Sequence, residues 1–191
     1  MDRADIVHEA FLARVSAGEF PSGDAPYGPL SGFEAVAIFR AQCLSRNLDR
    51  RSRKMQSAGQ GFYTIGSSGH EGMAAVASAL RRDDMAFLHY RDAAFLIQRK
   101  KQAGGLTPLH DMALSFAASA DDPISGGRHK VLGCAHTFVP PQTSTIASHL
   151  PKAVGAAHSL GMAQRLQLAD AVLPHDAIIL CSFGDASANH S

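Results

Sequence analysis

The stretch Ala177-Ile178-Ile179-Leu180-Cys181-Ser182-Phe183-Gly184-Asp185 decides the fold class of this chain of 191 residues. The residues before Gly184 are almost all apolar and lack the alternation of a strand with one exposed face. Continuous apolar strands of this kind are typical of parallel sheets that are covered on both faces. We therefore predict a buried strand over residues 177–183, followed by a turn.

Helical periodicity fills most of the chain before this strand. A shorter apolar run over residues 85–89 predicts a second buried strand. Apolar spacing predicts helices from Ser31, from Ser68, through residues 94–98, from Thr107, and from Thr145 to about Ala169. Ser31 is a candidate N-cap, and Ser68 and Glu71 have the spacing of a capping box. Helices that alternate with buried strands indicate an α/β protein.

Two segments lack regular periodicity. Within residues 1–30, the sequence predicts a short amphipathic helix followed by an irregular stretch around Pro21–Pro29. We interpret residues 1–30 as an N-terminal arm or connector. A domain over residues 31–191 follows it. Residues 119–144 are rich in Ser, Asp, Gly, Pro and Thr, and they predict a long irregular loop. Long loops inside regular chains are usually functional or disordered.

Composition excludes several classes of partner. The chain has 18 basic and 17 acidic side chains, so its charge gives no reason to expect nucleic acid or an anionic membrane as a partner. No long apolar stretch predicts a membrane span. Cys43, Cys134 and Cys181 lack the spacing of a zinc site or a disulfide framework, and we expect Cys181 to be a buried reduced thiol. We expect a cytoplasmic protein.

Two candidate sites follow the two predicted strands. Ligands bind at the carboxyl ends of the strands in open parallel sheets. Gly184-Asp185 offers a turn and a hard oxygen for Mg²⁺, although, taken alone, the pair favours a plain helix N-cap. Tyr90-Arg91 offers phosphate donors, although, taken alone, the pattern favours an ion pair of Arg91 with Asp83, Asp84 or Asp92. A third candidate is Ser144-Thr145-Ile146, where backbone amides at a helix start could bind a ligand or be capped by Ser144.

The order of these signals strengthens them. From about Gly59 to Ser191, roughly two thirds of its length, the chain resembles the alpha subunit of the decarboxylating component of 2-oxo acid dehydrogenase complexes. No single motif is specific, and the collinear set carries the resemblance. The branched-chain (2-oxoisovalerate) type fits best. The matching stretches are Phe62-Tyr63, Gly69-His70-Glu71-Gly72, Asp84 to Asp92, Gly127-Arg128, Ser144 to Ala157 and Gly184-Asp185.

The resemblance implies thiamine diphosphate and Mg²⁺ as cofactors and assigns roles by position. Tyr90 and Arg91 would hold the diphosphate, and Asp185 would ligate Mg²⁺. Ser144 and Ile146 would contact the aminopyrimidine. The remaining assignments line the diphosphate site (Gly184, Ala186 and Ser187) or lie near the substrate (Phe62 and His89), while Glu71 stays a capping residue. The implied reaction removes CO₂ from a 2-oxo acid and passes the acyl group to a lipoyl carrier on an acyltransferase.

The chain departs from the family pattern at two places. Ala186 stands where the family has a second glycine, and the family's second metal ligand would lie beyond Ser191. We therefore expect an incomplete thiamine-diphosphate-binding fold, a fragment whose catalytic residues lie elsewhere. The resemblance also implies an oligomer with a beta-like subunit or a fused beta-like region. The 191 residues alone are predicted neither to decarboxylate nor to bind the cofactor tightly.

Other interpretations stay open. A different thiamine enzyme on the same fold, such as an acetoin dehydrogenase or a transketolase, has a similar cofactor site. A catalytically inactive module could bind a beta-like partner without turnover. The last alternative is an unrelated α/β domain in which the Gly-Asp and Tyr-Arg pairs are turns and ion pairs.

Overall fold

The structure, a computed structural model, describes residues 3–20, 28–62, 65–105, 107–128, 130–142 and 144–189. The chain divides into two compact units, residues 1–35 and 36–191. The first unit contains α1 (Arg3–Ser16), where the sequence predicts a short helix. Most of the predicted irregular stretch, residues 21–27, lies outside the described residues, as does Tyr63. The functional division into an arm and a cofactor domain stays a prediction.

The remaining elements follow the predicted alternation of helices and strands. Their order is α2 (Gly32–Ser57), α3 (Met73–Ala79), β1 (Met85–Phe87), α4 (Ala93–Ala103), α5 (Pro108–Phe116), β2 (Leu132–Cys134), β3 (Val139–Gln142), α6 (Leu150–Arg165) and β4 (Ile179–Cys181). Short 3₁₀ helices cover Ala135–Thr137 and Asp185–Asn189. None of the described helices has the length and apolar character needed to cross a membrane.

The two strands predicted from apolar runs pair with each other. β1 and β4 are parallel neighbours, with Ala86 opposite Leu180. The buried carboxylate of Asp84 extends this pairing, because it accepts hydrogen bonds from the backbone N–H groups of Arg81 and Ile178, each at 2.8 Å. The prediction of an α/β protein with a parallel sheet is therefore confirmed for the described residues.

The core lies around α4. Residues 93–100 of this helix are all buried, and Phe95 has no exposed surface. The helix also buries Arg99, whose guanidinium donates to the backbone carbonyls of Arg81, Arg82 and Asp84 near the start of β1. These carbonyl acceptors offset part of the cost of burying the charge, because a charged donor inside a protein is costly unless it is hydrogen-bonded. α4 therefore fixes the position of β1, whose carboxyl end carries one of the candidate sites.

The segment predicted as a long irregular loop contains a hairpin, so that prediction is wrong. β2 and β3 pair antiparallel, with Leu132 opposite Gln142. The hairpin escapes sequence analysis because its second strand reads Val139-Pro140-Pro141-Gln142, and prolines cannot donate to a ladder. Gly133 permits this packing, since a Cβ atom there would lie 3.0 Å from the Cα atom of Pro141.

The predicted helix from Thr145 begins later than expected. α6 starts at Leu150 with His149 as its N-cap residue, so Ser144 does not cap it. Pro151 explains the difference, because a proline ring clashes with the carbonyl four residues earlier and is tolerated only in the first helical turn. Residues 144–149 form turns instead, with a positive φ of 58° at Ala147.

Two further local predictions need correction. β4 is shorter than residues 177–183, and its three residues, including Cys181, are only half-buried rather than covered on both faces. Glu71 does not cap α3, which begins at Met73 and has no side-chain cap. Its carboxylate accepts from the backbone N–H of Gly69 at 2.9 Å and pairs with Arg46 at 2.6 Å.

The capping prediction for α2 is confirmed. The hydroxyl of Ser31 accepts the backbone N–H of Glu34, and the Glu34 carboxylate accepts the backbone N–H of Ser31 at 2.8 Å. This reciprocal pair is a capping box, which satisfies two backbone donors at the helix start.

Candidate functional site

The carboxyl ends of β1 and β4 bring two of the predicted sites together. The backbone N–H of His89 donates to the Ser182 hydroxyl at 2.9 Å, and the backbone N–H of Ser182 donates to the carbonyl of Phe87 at 3.0 Å. A Cβ atom on Gly184 would lie 3.4 Å from Nε2 of His89. The segments that carry Tyr90-Arg91 and Gly184-Asp185 therefore leave the sheet side by side.

Arg91 does not form the ion pair that was an alternative to phosphate binding. Its Nη1 donates to the backbone carbonyl of Gly66 at 2.7 Å, and its guanidinium lies 5.2 Å from the centre of the Tyr90 ring. Among the described residues, no carboxylate forms a salt bridge with Arg91. Its charge is therefore held in place by a neutral carbonyl and an aromatic face.

The turn after β4 presents an available carboxylate. Asp185 is exposed and begins the 3₁₀ helix Asp185–Asn189, and no described residue engages its carboxylate. Ser187 is buried, and its backbone N–H donates to the carbonyl of Gly184 at 2.9 Å. Ala186 does not have a positive φ, so its methyl group replaces the family's glycine without backbone strain.

The sequence analysis also assigns three residues outside the strand ends to the site. Phe62 is 70% exposed, and Ile146 is 50% exposed. Ser144 lies in a bend and is half-buried. Their roles toward the substrate and the aminopyrimidine stay predictions.

A group of polar residues connects the strand ends, and among its members the sequence analysis assigns a role in the site only to His89. Asp92, which has no exposed surface, accepts from Nδ1 of His70 at 2.7 Å and from the backbone N–H of His89 at 2.9 Å. It also accepts the hydroxyl hydrogen of Ser182 in a short hydrogen bond. The imidazoles of His70 and His89 stack with their centres 4.6 Å apart and their planes inclined by 18°. We call His70, His89, Asp92 and Ser182 the strand-end cluster.

Two more buried groups support this cluster from outside. Nζ of Lys130 donates to the backbone carbonyl of Tyr90 at 3.1 Å, and Nε2 of His149 lies 2.6 Å from the carbonyl of Ser182. The sequence separations are 40 and 33 residues. No spacing rule could have linked them, and the only available signal was a polar residue in an otherwise apolar neighbourhood.

Burial shifts the protonation of the cluster. Burial, followed by the nearby charge of His70, lowers the pKa of His89 to about 4, so its imidazole is neutral at pH 7. Burial raises the pKa of Asp92, an effect that its hydrogen bonds to Ser182 and His70 oppose. Burial lowers the pKa of Lys130 to about 8, while Asp49 acts in the other direction.

The same cluster contains three groups that a metal ion could use. Donor atoms of His70, His89 and Asp92 all lie within 4.8 Å of one another. Both oxygens of Asp92 already accept hydrogen bonds, however, and the two imidazoles stack instead of converging on a point. The arrangement therefore favours a hydrogen-bonded network over a metal centre.

These features define an α/β protein with cationic donors and a free carboxylate at adjacent strand ends. Residues 39–191 match the model of the family described as "Dehydrogenase E1 component", and the chain belongs to that family. It is 27% identical over 158 residues to the mouse (Mus musculus) protein "2-oxoisovalerate dehydrogenase subunit alpha, mitochondrial". It is 29% identical over 164 residues to "2-oxoisovalerate dehydrogenase subunit alpha" of Bacillus subtilis (strain 168).

The similarity covers most of this chain but only part of its relatives. The matched residues are 82% of this chain and 32% of the mouse protein, and 84% of this chain and 45% of the Bacillus protein. The chain thus spans less than half the length of these two relatives. The resemblance to alpha subunits of 2-oxo acid dehydrogenases, which was predicted from the collinear motifs, is confirmed.

Proposed function

We propose that this chain is part of a thiamine-diphosphate-dependent decarboxylase of 2-oxo acids, branched-chain ones in particular, that transfers the acyl group to a lipoyl carrier. The observation that carries the proposal is the adjacency of Tyr90-Arg91 and Gly184-Asp185 at the ends of β1 and β4. Membership of the E1 component family and the names of the two relatives support the reaction and the substrate class.

The residues at the strand ends have the chemistry that a metal diphosphate requires. Arg91 is a planar donor that presents more hydrogen atoms than its bond to Gly66 uses, and Tyr90 adds a hydroxyl. The exposed carboxylate of Asp185 is a hard oxygen ligand of the kind that Mg²⁺ prefers. In this proposal Arg91 and Tyr90 bind the diphosphate, Asp185 binds Mg²⁺, and Gly184, Ala186 and Ser187 line the site.

The chain's own residues then hold the substrate next to the cofactor. Thiamine diphosphate supplies the nucleophile and the electron sink when it is bound. Ser144 and Ile146 contact the aminopyrimidine, while Phe62 and the neutral imidazole of His89 border the substrate. Because His89 is buried and uncharged, it orients the substrate by hydrogen bonding and packing without adding a positive charge.

A cofactor titration tests the diphosphate site. We expect the protein, purified with any partner it carries, to bind thiamine diphosphate in the presence of Mg²⁺, measured by calorimetry. Arg91→Met should weaken binding at least about tenfold, because a charge-assisted bond to phosphate is lost. Arg82→Met is the control, since Arg82 is exposed beside Asp83 at the opposite end of β1. Equal affinities for these two variants would contradict the assignment of Arg91.

A substrate panel tests the reaction. Reduction of an artificial electron acceptor is measured, so that no lipoyl partner is needed, with branched-chain 2-oxo acids, pyruvate or acetoin as the substrate. We expect the highest kcat/KM with a branched-chain 2-oxo acid. Preference for acetoin would favour an acetoin dehydrogenase. Co-purification of a beta-like partner without cofactor binding or turnover would favour an inactive binding module.

A further inference from the structure

We propose that His70 is a catalytic proton donor of this site, with Asp92 and Ser182 as its positioning residues. The proposal rests on the proposed function, because the acceptor is the carbonyl oxygen of a 2-oxo acid. It adds a residue for which neither the sequence motifs nor the family assignments provide a role. The carrying observation is a buried carboxylate that orients an imidazole at the carboxyl ends of two paired strands.

Asp92 fixes the orientation of the His70 ring. The carboxylate accepts the Nδ1 hydrogen of His70 at 2.7 Å, and it is itself held by the His89 backbone and the Ser182 hydroxyl. An acceptor at Nδ1 keeps the hydrogen on that nitrogen and leaves Nε2 as the nitrogen that can exchange a proton with a ligand. No described residue hydrogen-bonds Nε2 of His70, and 23% of the side chain is exposed.

The loop that carries His70 is also fixed. The backbone N–H of His70 donates to the carbonyl of Ser67 at 2.7 Å. Ser67 in turn donates through its backbone N–H and its hydroxyl to the buried carboxylate of Asp49, at 2.7 and 2.8 Å. A second tie joins Glu71 to Arg46 of the same helix, α2. Hydrogen bonds therefore fix both the backbone of His70 and its imidazole ring.

His70 is better suited to proton transfer than its neighbour His89. His89 is 5% exposed, and burial holds it in the neutral form down to a pH of about 4. Its ring stacks on that of His70 and occupies the space beneath it. The charged and titratable groups around the stacked pair come from several elements and are Asp92, Arg91, Lys130, His149 and, through the loop, Glu71 and Arg46. Of the two stacked imidazoles, that of His70 combines a fixed ring with a partly exposed side chain.

The proposed step balances as a simple proton transfer. Bound thiamine diphosphate would supply the nucleophile, and as the carbonyl carbon of the 2-oxo acid gained its new bond, the π electrons of the C=O bond would move to oxygen. The Nε2–H bond of the protonated His70 breaks, and an O–H bond forms on the substrate. His70 is left neutral, with its remaining hydrogen on Nδ1 bound to Asp92, and it takes a new proton from solvent.

Substitution of His70 by asparagine or by glutamine tests the roles of its two ring nitrogens separately. In His70→Asn the amide nitrogen occupies the place of Nδ1 and retains the bond to Asp92, whereas in His70→Gln it reaches the place of Nε2. Neither side chain can donate a proton, so we expect kcat to fall about 100-fold or more in both. The limb of the pH–rate profile that reports protonation of this group should also disappear, while the affinity for thiamine diphosphate should stay within about twofold.

His110→Asn is the matched control, because His110 is an exposed histidine that also lies near an aspartate, with Nδ1 3.8 Å from Asp111. It should leave kcat and the pH profile unchanged. Wild-type activity combined with a kcat for His70→Asn within about threefold of wild type would overturn the role of His70 alone. Absence of 2-oxo acid turnover by the wild type purified together with its beta-like partner or region would instead overturn the proposed function.

A chemical measurement on the wild-type holoprotein does not depend on the folding of variants. Diethyl pyrocarbonate reacts with accessible unprotonated imidazole nitrogens, and mass spectrometry locates the adducts. We expect a branched-chain 2-oxo acid to slow modification of His70 at least about fivefold and to leave His110 unaffected. Equal rates at His70 with and without the 2-oxo acid would overturn the proposal.

Discussion

The buried imidazole of His89 makes the stability of the protein sensitive to pH. Burial and the nearby His70 and Arg91 lower its pKa to about 4, whereas a histidine in an unfolded chain titrates near 6.5. Between these two values the unfolded state binds more protons, so His89 reduces stability as the pH falls from about 6.5 to about 4. We expect the urea midpoint to drop less between pH 7 and pH 5 in His89→Gln than in the wild type.

The exposed histidine of α5 provides the comparison for that measurement. His110→Gln should show the same pH dependence as the wild type, because its side chain is 69% exposed. A His89→Gln variant whose midpoint falls as steeply as that of His110→Gln would contradict the prediction.

Lys130 offers a second test at a single residue. Its ammonium is buried, donates to the carbonyl of Tyr90 and lies near the buried carboxylate of Asp49. Lys130→Met removes both interactions, and we expect a loss of about 1–3 kcal/mol in the free energy of unfolding. Lys101→Met at an exposed position should change it by less than about 0.5 kcal/mol. Equal urea unfolding curves for the two variants would contradict a supporting role for Lys130.

Whether an individual site residue could be predicted depends on how far away its partners lie in the sequence. Asp185 and the Tyr90-Arg91 pair could be predicted because each directly follows an apolar strand, and position after a strand is visible in sequence. The contacts of His70 and Lys130 could not be predicted, because their partners lie 22 and 40 residues away in the sequence. Such pairs depend on the pairing of strands and helices, which periodicity alone does not specify.

At the level of elements, the turn before β2 depends on one glycine. Gly127 has a φ of 75°, and a Cβ atom there would lie 2.4 Å from the carbonyl oxygen of Ala118. Gly127→Ala should therefore combine backbone strain with a clash against another part of the main chain. We expect a loss of at least about 2 kcal/mol in the free energy of unfolding, measured by urea titration.

The preceding glycine is a close control. Gly126 also has a positive φ, 58°, but its nearest neighbour would lie 3.8 Å from an added Cβ atom. Gly126→Ala should cost only about 1 kcal/mol, which is the strain of a left-handed alanine. Similar losses for both variants would show that the clash at Gly127 is relieved by a movement of the chain.

Helices whose starts are marked by capping residues could be predicted from the sequence, whereas short strands with a loop-like composition could not. Ser31 marks the start of α2 and Thr107 marks the start of α5, as expected. The β2–β3 hairpin was missed because its short strands contain Gly133, Pro140 and Pro141, which resemble a loop in composition. Their pairing depends on tertiary packing instead of local preference.

At the scale of the whole molecule, Asp84 connects the two halves of the parallel pair. Its carboxylate satisfies the backbone N–H groups of Arg81 and Ile178, which are far apart in sequence. Asp84→Ala leaves both donors without this acceptor, and each loss should cost about 1–3 kcal/mol. We expect a clearly lower melting temperature and urea midpoint.

The adjacent aspartate, Asp83, tests whether burial of the carboxylate is the cause of the destabilisation expected for Asp84→Ala. Asp83 is 43% exposed and lies 3.4 Å from Arg81, so Asp83→Ala should cost less than about 1 kcal/mol. Comparable destabilisation by the two substitutions would contradict the structural role of Asp84. The sequence could predict both strands but not this connection. An aspartate before a strand gives the same sequence pattern whether its carboxylate is exposed to solvent or accepts hydrogen bonds from two segments of the backbone.

The pairing of β1 with β4 also has a consequence for biosynthesis. Ala86 finds its partner only after Leu180 has been made, and chains grow by roughly 5–20 residues per second. β1 and the fully buried Leu88 that follows it therefore wait on the order of 5–20 s for the neighbouring strand. During that interval the nascent chain exposes an unpaired strand edge, and a chaperone that binds apolar segments would have a defined target there.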